Sequence, residues 1–585
     1  MNRRSFVRAI SLAPLAGALQ PGYALASDRP SAAKTDPASG SPNHPLHTRY
    51  QLTLQRVLQG ESPAYTEDFI LEDVRPTPGR RFTEYSGDVS GRYIGALATA
   101  SRAYGTHFPG LGPLVEKVIA LQKPDGCFGS GFHLDQPTDQ DMALLWGNGR
   151  LLVGLLEYYR LTPSPVVLAA CRRLGDFLVT VGPKMLSQEI RDGFGAQHFA
   201  SSYICWTQQV EGLANLFAVT RDDRYRSLAE QIIAVTERRP SDHVHGYLTS
   251  VRGWVDLYTA TADGTLLAKC EAAWHDVAAS RDLLLTGGVP EGWSPNGHRT
   301  EGCAEADWLR LSLALWHTTG KQEYLAMAEK TAFNELAFNQ YAGGDFGHRV
   351  YSDTGLPAGG AVRAWWCCTL HGLRYFPDLQ ASAFRTTPSG WTYDLPIDAT
   401  LQTPTHSASA ESTLGVDGKV TITLHTSGDA IFHFRQPEWA SSQFLRVNGA
   451  PVQHTCEEGY AKIQRFWQAG DRIQVTYGID LRREPAGNNR VCFWFGPWLL
   501  GAPSSANPDY FNELTTENRI GTEIHLVDRS NSQAGFAVPI AASVFQYIPA
   551  EFPDQPQQVA LRAIAEETGQ VTTSWELRFL TKSGV

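Results

Sequence analysis

Residues 155–178 have the sequence LLEYYRLTPSPVVLAACRRLGDFL, an apolar-periodic helix, a short turn containing Thr162, and a second helix. Each such hairpin can bury its apolar face only against neighbouring hairpins, so a repeated hairpin predicts an extended or closed helical array. A degenerate earlier copy of the pattern occupies residues 96–122. Three later copies each carry a threonine in the turn: residues 213–234 with Thr220, 254–274 with Thr261, and 313–334 with Thr318.

Long insertions separate these hairpins, which fits a closed ring with loops gathered around a central cleft. We therefore predict an (α/α)6 toroid over residues 46–385, with an open solenoid as the alternative. After about residue 385 the apolar period changes from 3.6 to 2, as in KVTITLHTSG (419–428) and RIQVTYGIDL (472–481). Such alternation between Gly, Pro and Asn-Gly turns predicts one or two antiparallel β-sandwich modules over residues 386–585. The expected fold class is α+β with several domains.

The N-terminal segment predicts export. Arg3 and Arg4 form a twin-arginine pattern, an apolar run follows over residues 9–19, and residues 24–26 (ALA) offer a cleavage site of the small-x-small type. We predict that residues 1–26 are a signal peptide, that 27–45 are a flexible leader rich in Pro and Ser, and that the mature protein is periplasmic or secreted.

Length and composition narrow the possible partners. A chain of 585 residues favours two or three domains. The net charge of −10, without long basic runs, argues against nucleic acid and anionic membranes as partners. The chain contains no apolar stretch of about 20 residues, so we predict no membrane-spanning helix. The 15 Trp, 21 Tyr and 26 Phe suit either sugar binding or large cores, and the oligomeric state is left open.

The cysteines predict a metal site. Nine of them are scattered along the chain, an odd number that does not suggest a disulfide framework. The adjacent pair Cys367 and Cys368 can place two thiolates on one metal, and Glu301 and Cys303 share a side if their stretch is extended. Together the four predict a Cys3Glu zinc site. The alternatives are a reduced buried pair, a disulfide to Cys303, and purely structural zinc.

Four stretches carry further information: TGGVPEGW (286–293), TEGCAEADWLRLSLALWHTTG (300–320), NQYAGGDFGHR (339–349) and AWWCCTLHGLRYF (364–376). In this order they resemble the family of β-L-arabinofuranosidases, glycoside hydrolase family 127. The likeness continues into the predicted sandwich through FRQPEW, RVNG, WQAGD and WFGPWLL, so it spans about residues 85 to 500.

The resemblance implies a zinc-dependent retaining glycoside hydrolase that acts on β-L-arabinofuranosides or related glycosides. Carried over residue by residue, it makes Cys367 the nucleophile, with Glu301, Cys303 and Cys368 completing the zinc ligands. Glu291, in GGVPEGW, stands at the position of the acid/base. A cation-bound thiolate and a nearby carboxyl group are also chemically sufficient for double displacement.

Other polar and aromatic residues near predicted helix starts or loops are candidates for substrate binding, although each could equally be a cap, an ion-pair partner or a core group. This chain also carries Arg150, Thr207 and Thr249 where the family is expected to have histidines, which predicts an acidic, branched or differently configured sugar. The candidates are Asp88, Arg92, His133, Arg150, Tyr247, Arg252, Trp365 and His348.

Two other functions stay open on the sequence alone. A polysaccharide lyase on the same toroid would need a Tyr or His base beside an Arg that neutralises a carboxylate. A non-catalytic carbohydrate-binding protein with structural zinc would need neither a nucleophile nor an acid/base.

Overall fold

The structure is a computed structural model that describes ten stretches of the chain. The predicted signal peptide, residues 1–26, and the predicted leader up to residue 44 lie outside them. The described residues are 45–60, 63–75, 84–195, 202–240, 242–294, 299–512, 519–529, 541–549, 557–566 and 573–580.

Six helices form a closed inner ring. Each packs against the next, and the last packs against the first, so the array is a toroid and the open solenoid is ruled out. The predicted (α/α)6 architecture is confirmed. The inner helices are Asp88–Tyr104, Asp139–Leu161, Gln209–Thr220, Val244–Thr261, Gly302–Thr319 and Cys368–Ala381.

Six outer helices alternate with the inner ones along the chain, and each packs on the outside of an inner helix. The inner helices therefore run in one direction, and their N-terminal ends lie on one face of the toroid. The outer helices are Pro45–Gln59, Leu111–Ile119, Pro165–Met185, Asp223–Val235, Gly264–Ala278 and Gln322–Lys330. Shorter helical segments are Glu67–Val74, Gln188–Gly193, Ile204–Thr207, the π-helix Thr331–Leu336, and Ala337–Asn339.

The repeated threonines lie at the C-terminal ends of inner helices. The hydroxyls of Thr220, Thr261 and Thr318 each donate to the carbonyl oxygen four residues earlier, at 2.8 Å. Thr162 instead follows Leu161 as the cap residue of its helix. A side-chain hydroxyl that competes for the last carbonyls favours the end of a helix, which is why threonine recurs at these turns.

Two glycines allow neighbouring inner helices to touch through their backbones. A Cβ atom on Gly91 would lie 2.4 Å from the carbonyl oxygen of Arg150, and one on Gly154 would lie 2.2 Å from that of Gly91. Any side chain at these positions would push the helices Asp88–Tyr104 and Asp139–Leu161 apart.

A small sheet covers the N-terminal face of the inner ring and brings Glu301 opposite His348. The sequence patterns had not predicted it, because its strands are only three or four residues long. Its strands, in spatial order, are Arg299–Glu301, Gly347–Val350 and Ala361–Arg363.

After the toroid, two sheets form the predicted sandwich. The first strand begins at Phe384, so the predicted boundary at residue 386 falls inside a strand. Alternate burial along Lys419–Leu424 agrees with the period of 2. One sheet has the strand order Thr455–Glu457, Tyr460–Trp467, Gly428–Arg435, Gly390–Tyr393, Phe384–Thr387. The other has the order Ala450–Pro451, Ala440–Val447, Arg472–Ile479, Lys419–Leu424, Ser407–Thr413, Ala399–Gln402. The short helix Leu414–Asp417 connects Ser407–Thr413 to Lys419–Leu424.

One pair in this sandwich departs from the expected antiparallel pattern, because Gly428–Arg435 runs parallel to Gly390–Tyr393. The rings of Trp391, Phe432 and Trp467 stack across the same sheet, with neighbouring centroids 3.9 and 4.6 Å apart. Stacked aromatic rings of this kind bury a large apolar area per residue.

A third sheet follows the sandwich, so residues 386–585 contain two β arrangements. The short strand Gly355–Leu356 of the toroid pairs with Trp575–Glu576 and ties this sheet to the loop that precedes the cysteine pair. None of the helices in the described residues has the length and apolar composition needed to cross a bilayer. The other elements of this region are Leu481–Pro485, Arg490–Phe495, Trp498–Pro503, Ser504–Ala506, Pro508–Asn512, Arg519–Arg529, Ala541–Pro549, Gln557–Ala563, Ile564–Glu566 and Phe579–Leu580.

Candidate active site

The four predicted zinc ligands come together at the N-terminal ends of two adjacent inner helices. Their ligand atoms, one from each of Glu301, Cys303, Cys367 and Cys368, lie within 4.8 Å of one another. The Sγ atom of Cys368 lies 3.6 Å from that of Cys303, 3.8 Å from that of Cys367, and 3.9 Å from Oε1 of Glu301. Cys303, Cys367 and Cys368 form no disulfide.

A change from strand to helix positions Glu301 and Cys303. Glu301 ends the strand Arg299–Glu301 and is the cap residue of helix Gly302–Thr319, so the expected extended stretch through Cys303 is wrong. The Glu301 side chain makes no capping hydrogen bond and is left to face the cysteines. A Cβ atom on Gly302 would lie 3.1 Å from Cβ of Cys368, which explains a glycine between the two ligands.

The vicinal cysteines lie at the start of the next inner helix. Cys367 is the cap residue of helix Cys368–Ala381, and its side chain makes no capping hydrogen bond. Cys303 and Cys368 are completely buried, whereas Cys367 is half-buried. The positive end of the helix dipole favours a thiolate at this position.

The spacing and chemistry of the four side chains fit zinc. Tetrahedral zinc with Zn–S bonds of about 2.3 Å separates its sulfur ligands by about 3.8 Å, close to the two separations found here. Thiolate ligands favour zinc over the hard cations magnesium and calcium. The residues therefore fit the ion that the family resemblance implies.

The three thiols differ in their tendency to ionise. Hydrogen bonds from Cys303 and Cys368 hold the pKa of the Cys367 thiol well below its usual range. Burial raises the pKa of the Cys303 and Cys368 thiols. Cys367 is also the least buried of the three sulfurs.

Glu301 has a partner on its other oxygen. Nε2 of His243, the cap residue of helix Val244–Thr261, lies 2.8 Å from Oε2 of Glu301. Burial opposes ionisation of Glu301, but His243 outweighs it and holds the pKa of this carboxyl below its usual range. A metal ligand that is itself paired with a neighbouring side chain is held in one orientation.

Glu291 lies beside this cluster, on the segment that leads to the strand of Glu301. Its carboxylate accepts a hydrogen bond from Nε of Arg299 and lies 3.7 Å from Nδ1 of His348. Ligand atoms of His243, Glu291 and Glu301 fall within 4.8 Å of one another. The predicted acid/base and the predicted metal site therefore lie side by side.

A second group of possible ligands, His245, Asp307 and His371, does not suit a metal. Arg92, which can only donate, faces Nε2 of His245 at 3.0 Å and Nδ1 of His371 at 2.8 Å. Each ring must therefore carry its proton on the nitrogen that faces Oδ2 of Asp307, at 2.5 and 3.3 Å. A metal would have to displace those protons. Burial lowers the pKa of both imidazoles and keeps them neutral.

Arg150 and Arg252, which were predicted to contact substrate, belong to a buried ion-pair network. Both bind Glu211, at 3.0 and 2.9 Å, and Arg252 also binds Asp307 at 2.8 Å. Against the effect of burial, Arg252 and Arg150 lower the pKa of Glu211 to about 2. Thr249 also bonds Asp307, at 3.1 Å. The Arg150 charge is thus compensated, which removes the argument for an acidic sugar.

The other predicted substrate residues have different surroundings. Asp88 accepts from Trp146 Nε1 at 3.0 Å near the cluster, whereas His133 is exposed and pairs with Asp141. Tyr247 is buried with its ring 5.6 Å from that of Trp293. Trp365 is half-buried next to the cysteine pair. Its ring packs on Tyr65 and Phe69, with centroids 5.4 and 5.1 Å away. These surroundings leave substrate binding by these residues a prediction.

Three residues of the site were missed by the sequence analysis: His243, His245 and Asp307. The two histidines are separated by one residue at a helix start, and Asp307 lies one turn after Cys303. A polar residue one helical turn from a metal ligand shares its face, and this spacing is the signal that could have found Asp307.

The fold and the site together define a helical toroid with a candidate metal centre at the N-terminal ends of its inner helices. A GH127 β-arabinofuranosidase has 15% sequence identity and a TM-score of 0.70, covering 93% of this chain and 97% of that chain. A GH127 β-L-arabinofuranosidase from Geobacillus stearothermophilus T6 has 16% identity and a TM-score of 0.67, covering 92% and 99%. These likenesses show the fold. No curated protein sequence matches the chain.

The family follows from sequence profiles. The profile of the "Beta-L-arabinofuranosidase, GH127 catalytic domain" matches residues 82–381, about half of the chain. That of the "Beta-L-arabinofuranosidase, GH127 middle domain" matches residues 397–479, within the sandwich. The chain belongs to glycoside hydrolase family 127 and is a glycosidase, which sets aside the lyase and the non-catalytic binding protein.

Proposed function

We propose that this protein is a zinc-dependent retaining glycosidase with Cys367 as its nucleophile and Glu291 as its acid/base. The observation that carries the proposal is the unequal exposure of the cysteines. Cys303 and Cys368 are sealed in the protein, whereas Cys367 is half-buried at a helix N-terminus. A ligand that must also attack a substrate has to be the accessible one.

Zinc, held by Glu301, Cys303, Cys367 and Cys368, would stabilise Cys367 as a thiolate at neutral pH. The remaining work falls to the side chains of the chain. His243 orients Glu301 through Oε2, and Arg299 and His348 hold Glu291 beside the predicted metal site. The thiolate and the acid are thereby presented to one glycosidic bond from fixed positions.

The first step exchanges a carbon–oxygen bond for a carbon–sulfur bond. Sγ of Cys367 attacks the anomeric carbon while Glu291 donates its proton to the departing glycosidic oxygen. In the second step Glu291 removes a proton from water, whose oxygen displaces the sulfur. Two inversions at one carbon give net retention of configuration.

For the substrate we propose a β-L-arabinofuranoside or a related neutral glycoside. Two similar solved structures are described as β-arabinofuranosidases, which supports this class. Pairing of Arg150 with Glu211 leaves no uncompensated cation there to select an acidic sugar.

A panel of nitrophenyl pentosides and hexosides, assayed with and without a chelator, tests the activity. We expect hydrolysis with retention, lost on zinc removal and restored by added zinc. An ultraviolet-absorbing unsaturated product would indicate a lyase, and inversion of configuration would exclude a covalent intermediate.

A sugar-derived haloacetamide tests the nucleophile. Peptide mapping of the labelled protein should find an adduct on Cys367 that excess free sugar suppresses, whereas any adduct on the exposed Cys456 should persist with the sugar present and in Cys367→Ser. Cys368→Ser should also lose activity, because serine is a poor zinc ligand. An adduct on Cys368 or on a carboxylate would contradict the assignment.

A further inference from the structure

One buried arginine touches the candidate metal site. Arg92 is 3% exposed, and its Nη1 atom lies 3.5 Å from Sγ of Cys303. The same nitrogen lies 2.8 Å from Nδ1 of His371, and Nη2 lies 3.0 Å from Nε2 of His245. Nε donates to Oδ1 of Asp88 at 2.7 Å. The guanidinium is therefore held at all three nitrogens, so a substrate would have to displace these partners to reach it.

The partners of Arg92 are themselves fixed. Both histidines face Oδ2 of Asp307 with their second nitrogen, and Oδ1 of Asp307 accepts from Arg252 at 2.8 Å. His245, His371 and Asp307 are completely buried. Each contact in this series has one chemically allowed direction of donation, because arginine only donates and a carboxylate only accepts. The series holds the guanidinium in one orientation against Cys303.

We propose that Arg92 is a positioning residue that keeps Cys303 as a metal ligand and leaves Cys367 as the reacting sulfur. This inference rests on the proposed function. It goes beyond the ligand set, because it explains why two cysteines at one site have different roles.

The physical reason is charge. Three thiolates and one carboxylate bring four negative charges to a divalent ion, so the occupied site would carry a net negative charge. A hydrogen bond from a buried cation draws electron density from the sulfur that receives it. Cys303 receives that bond and is sealed from solvent, so it becomes the poorer nucleophile. Cys367, half-buried, keeps the reactive electron pair.

Cobalt-substituted protein tests the contact directly, because sulfur-to-cobalt charge-transfer absorption reports the electron density on the ligand sulfurs. We expect Arg92→Gln to move this absorption to longer wavelength and to weaken zinc binding about 10–100-fold, as loss of an outer partner of a metal ligand usually does. Arg92→Lys keeps the charge and should recover part of both changes. A fall in kcat with a smaller change in KM should accompany them.

Arg102→Lys is the matched control, since Arg102 lies on the same helix and binds Glu157 at 2.6 Å. It should leave the absorption unchanged. If cobalt-substituted wild-type protein shows no sulfur-to-cobalt charge-transfer absorption, the proposed metal site itself is overturned. A normal wild-type band that neither Arg92 variant shifts, or that Arg102→Lys shifts equally, would overturn the role of Arg92 alone.

Neutron diffraction on the wild-type protein gives a test that needs no variant to fold. We expect hydrogen on Nδ1 of His245 and Nε2 of His371, and a hydrogen of Arg92 directed at Cys303. Hydrogen on the nitrogens that face Arg92 would contradict the proposal.

Discussion

His243 and the cysteines share the Glu301 carboxylate between them. Nε2 of His243 lies 2.8 Å from Oε2, while Oε1 lies 3.9 Å from Sγ of Cys368. Only one oxygen of Glu301 is thus directed at the cysteines. The histidine begins one inner helix and the glutamate precedes the next, so packing of the ring decides how the carboxylate faces a metal.

We therefore predict that His243→Ala weakens zinc binding by about 10–100-fold. His243→Gln should lose less, because its amide can still donate to Oε2. Competition with a chromogenic chelator measures the change. His275→Ala, which alters a largely exposed histidine near Glu323, should bind zinc as the wild type does. Equal affinity in His243→Ala would show that Glu301 needs no partner.

The position of Glu291 predicts a dependence on the leaving group. Glu291→Gln removes the proton donor and should lower kcat/KM by about 10²–10⁴-fold for alkyl glycosides. The loss should be smaller for a dinitrophenyl glycoside, whose leaving group departs without a proton. Steady-state kinetics with both substrates measure this. Glu189→Gln, at an exposed carboxylate, serves as the control. An equal loss of kcat/KM for both leaving groups would show that a residue other than Glu291 donates the proton.

Arg150 should matter for stability more than for sugar preference. Loss of one partner of a buried ion pair usually costs about 3–5 kcal/mol. We expect the loss of stability in Arg150→His to lie near the lower end of this range, because Arg252 still pairs with Glu211. Urea unfolding gives the free energy. Arg224→His breaks an exposed pair and should cost less than about 1 kcal/mol. If Arg150→His left the stability unchanged but altered the sugar preference, Arg150 would be assigned to substrate binding.

Burial raises the pKa of Asp398, at the edge of the sandwich, to about 7. The folded chain then holds this proton more tightly than the unfolded chain, whose aspartate has a pKa of about 3.9. The free energy of unfolding therefore falls as the pH rises from about 4 to about 7. Asp398→Asn can still accept the bond from the Ser412 N–H, 2.6 Å away.

At pH 8 we expect Asp398→Asn to unfold a few degrees above the wild type, and the difference should vanish near pH 4. Thermal unfolding at both pH values measures it. Asp429→Asn, at an exposed position, should change neither midpoint. A variant less stable than wild type at pH 8 would mean that the charged form of Asp398 is favoured in the folded protein.

Export remains a proposal from the N-terminal sequence. Replacing both Arg3 and Arg4 with lysine should leave most of the protein in the cytoplasm, because the export machinery recognises the twin-arginine pair. Cell fractionation with immunoblotting measures the distribution. Replacing Arg8 with lysine provides a control that keeps the pair. Unchanged export of the double variant would assign the segment to another route.

The helical ring and most of the metal-site residues could be predicted because their signals are local. Apolar spacing and recurrent turn threonines indicate hairpins, and Glu301, Cys303, Cys367 and Cys368 carry ligand chemistry in their side chains. The short sheet around His348 had no such signal, since three residues are too few to show a period. Arg150 was assigned to substrate because its partner, Glu211, lies on another helix.

By itself the sequence determined that this chain forms a ring of helical hairpins followed by β-sheets, and which side chains can bind a soft metal. Only the tertiary structure decided that Cys367 is the accessible sulfur, that His243 holds Glu301, and that Arg92 faces Cys303. The reason is that periodicity arises between residues a few positions apart. Exposure and hydrogen bonding depend on distances between helices, and these are set when the ring closes.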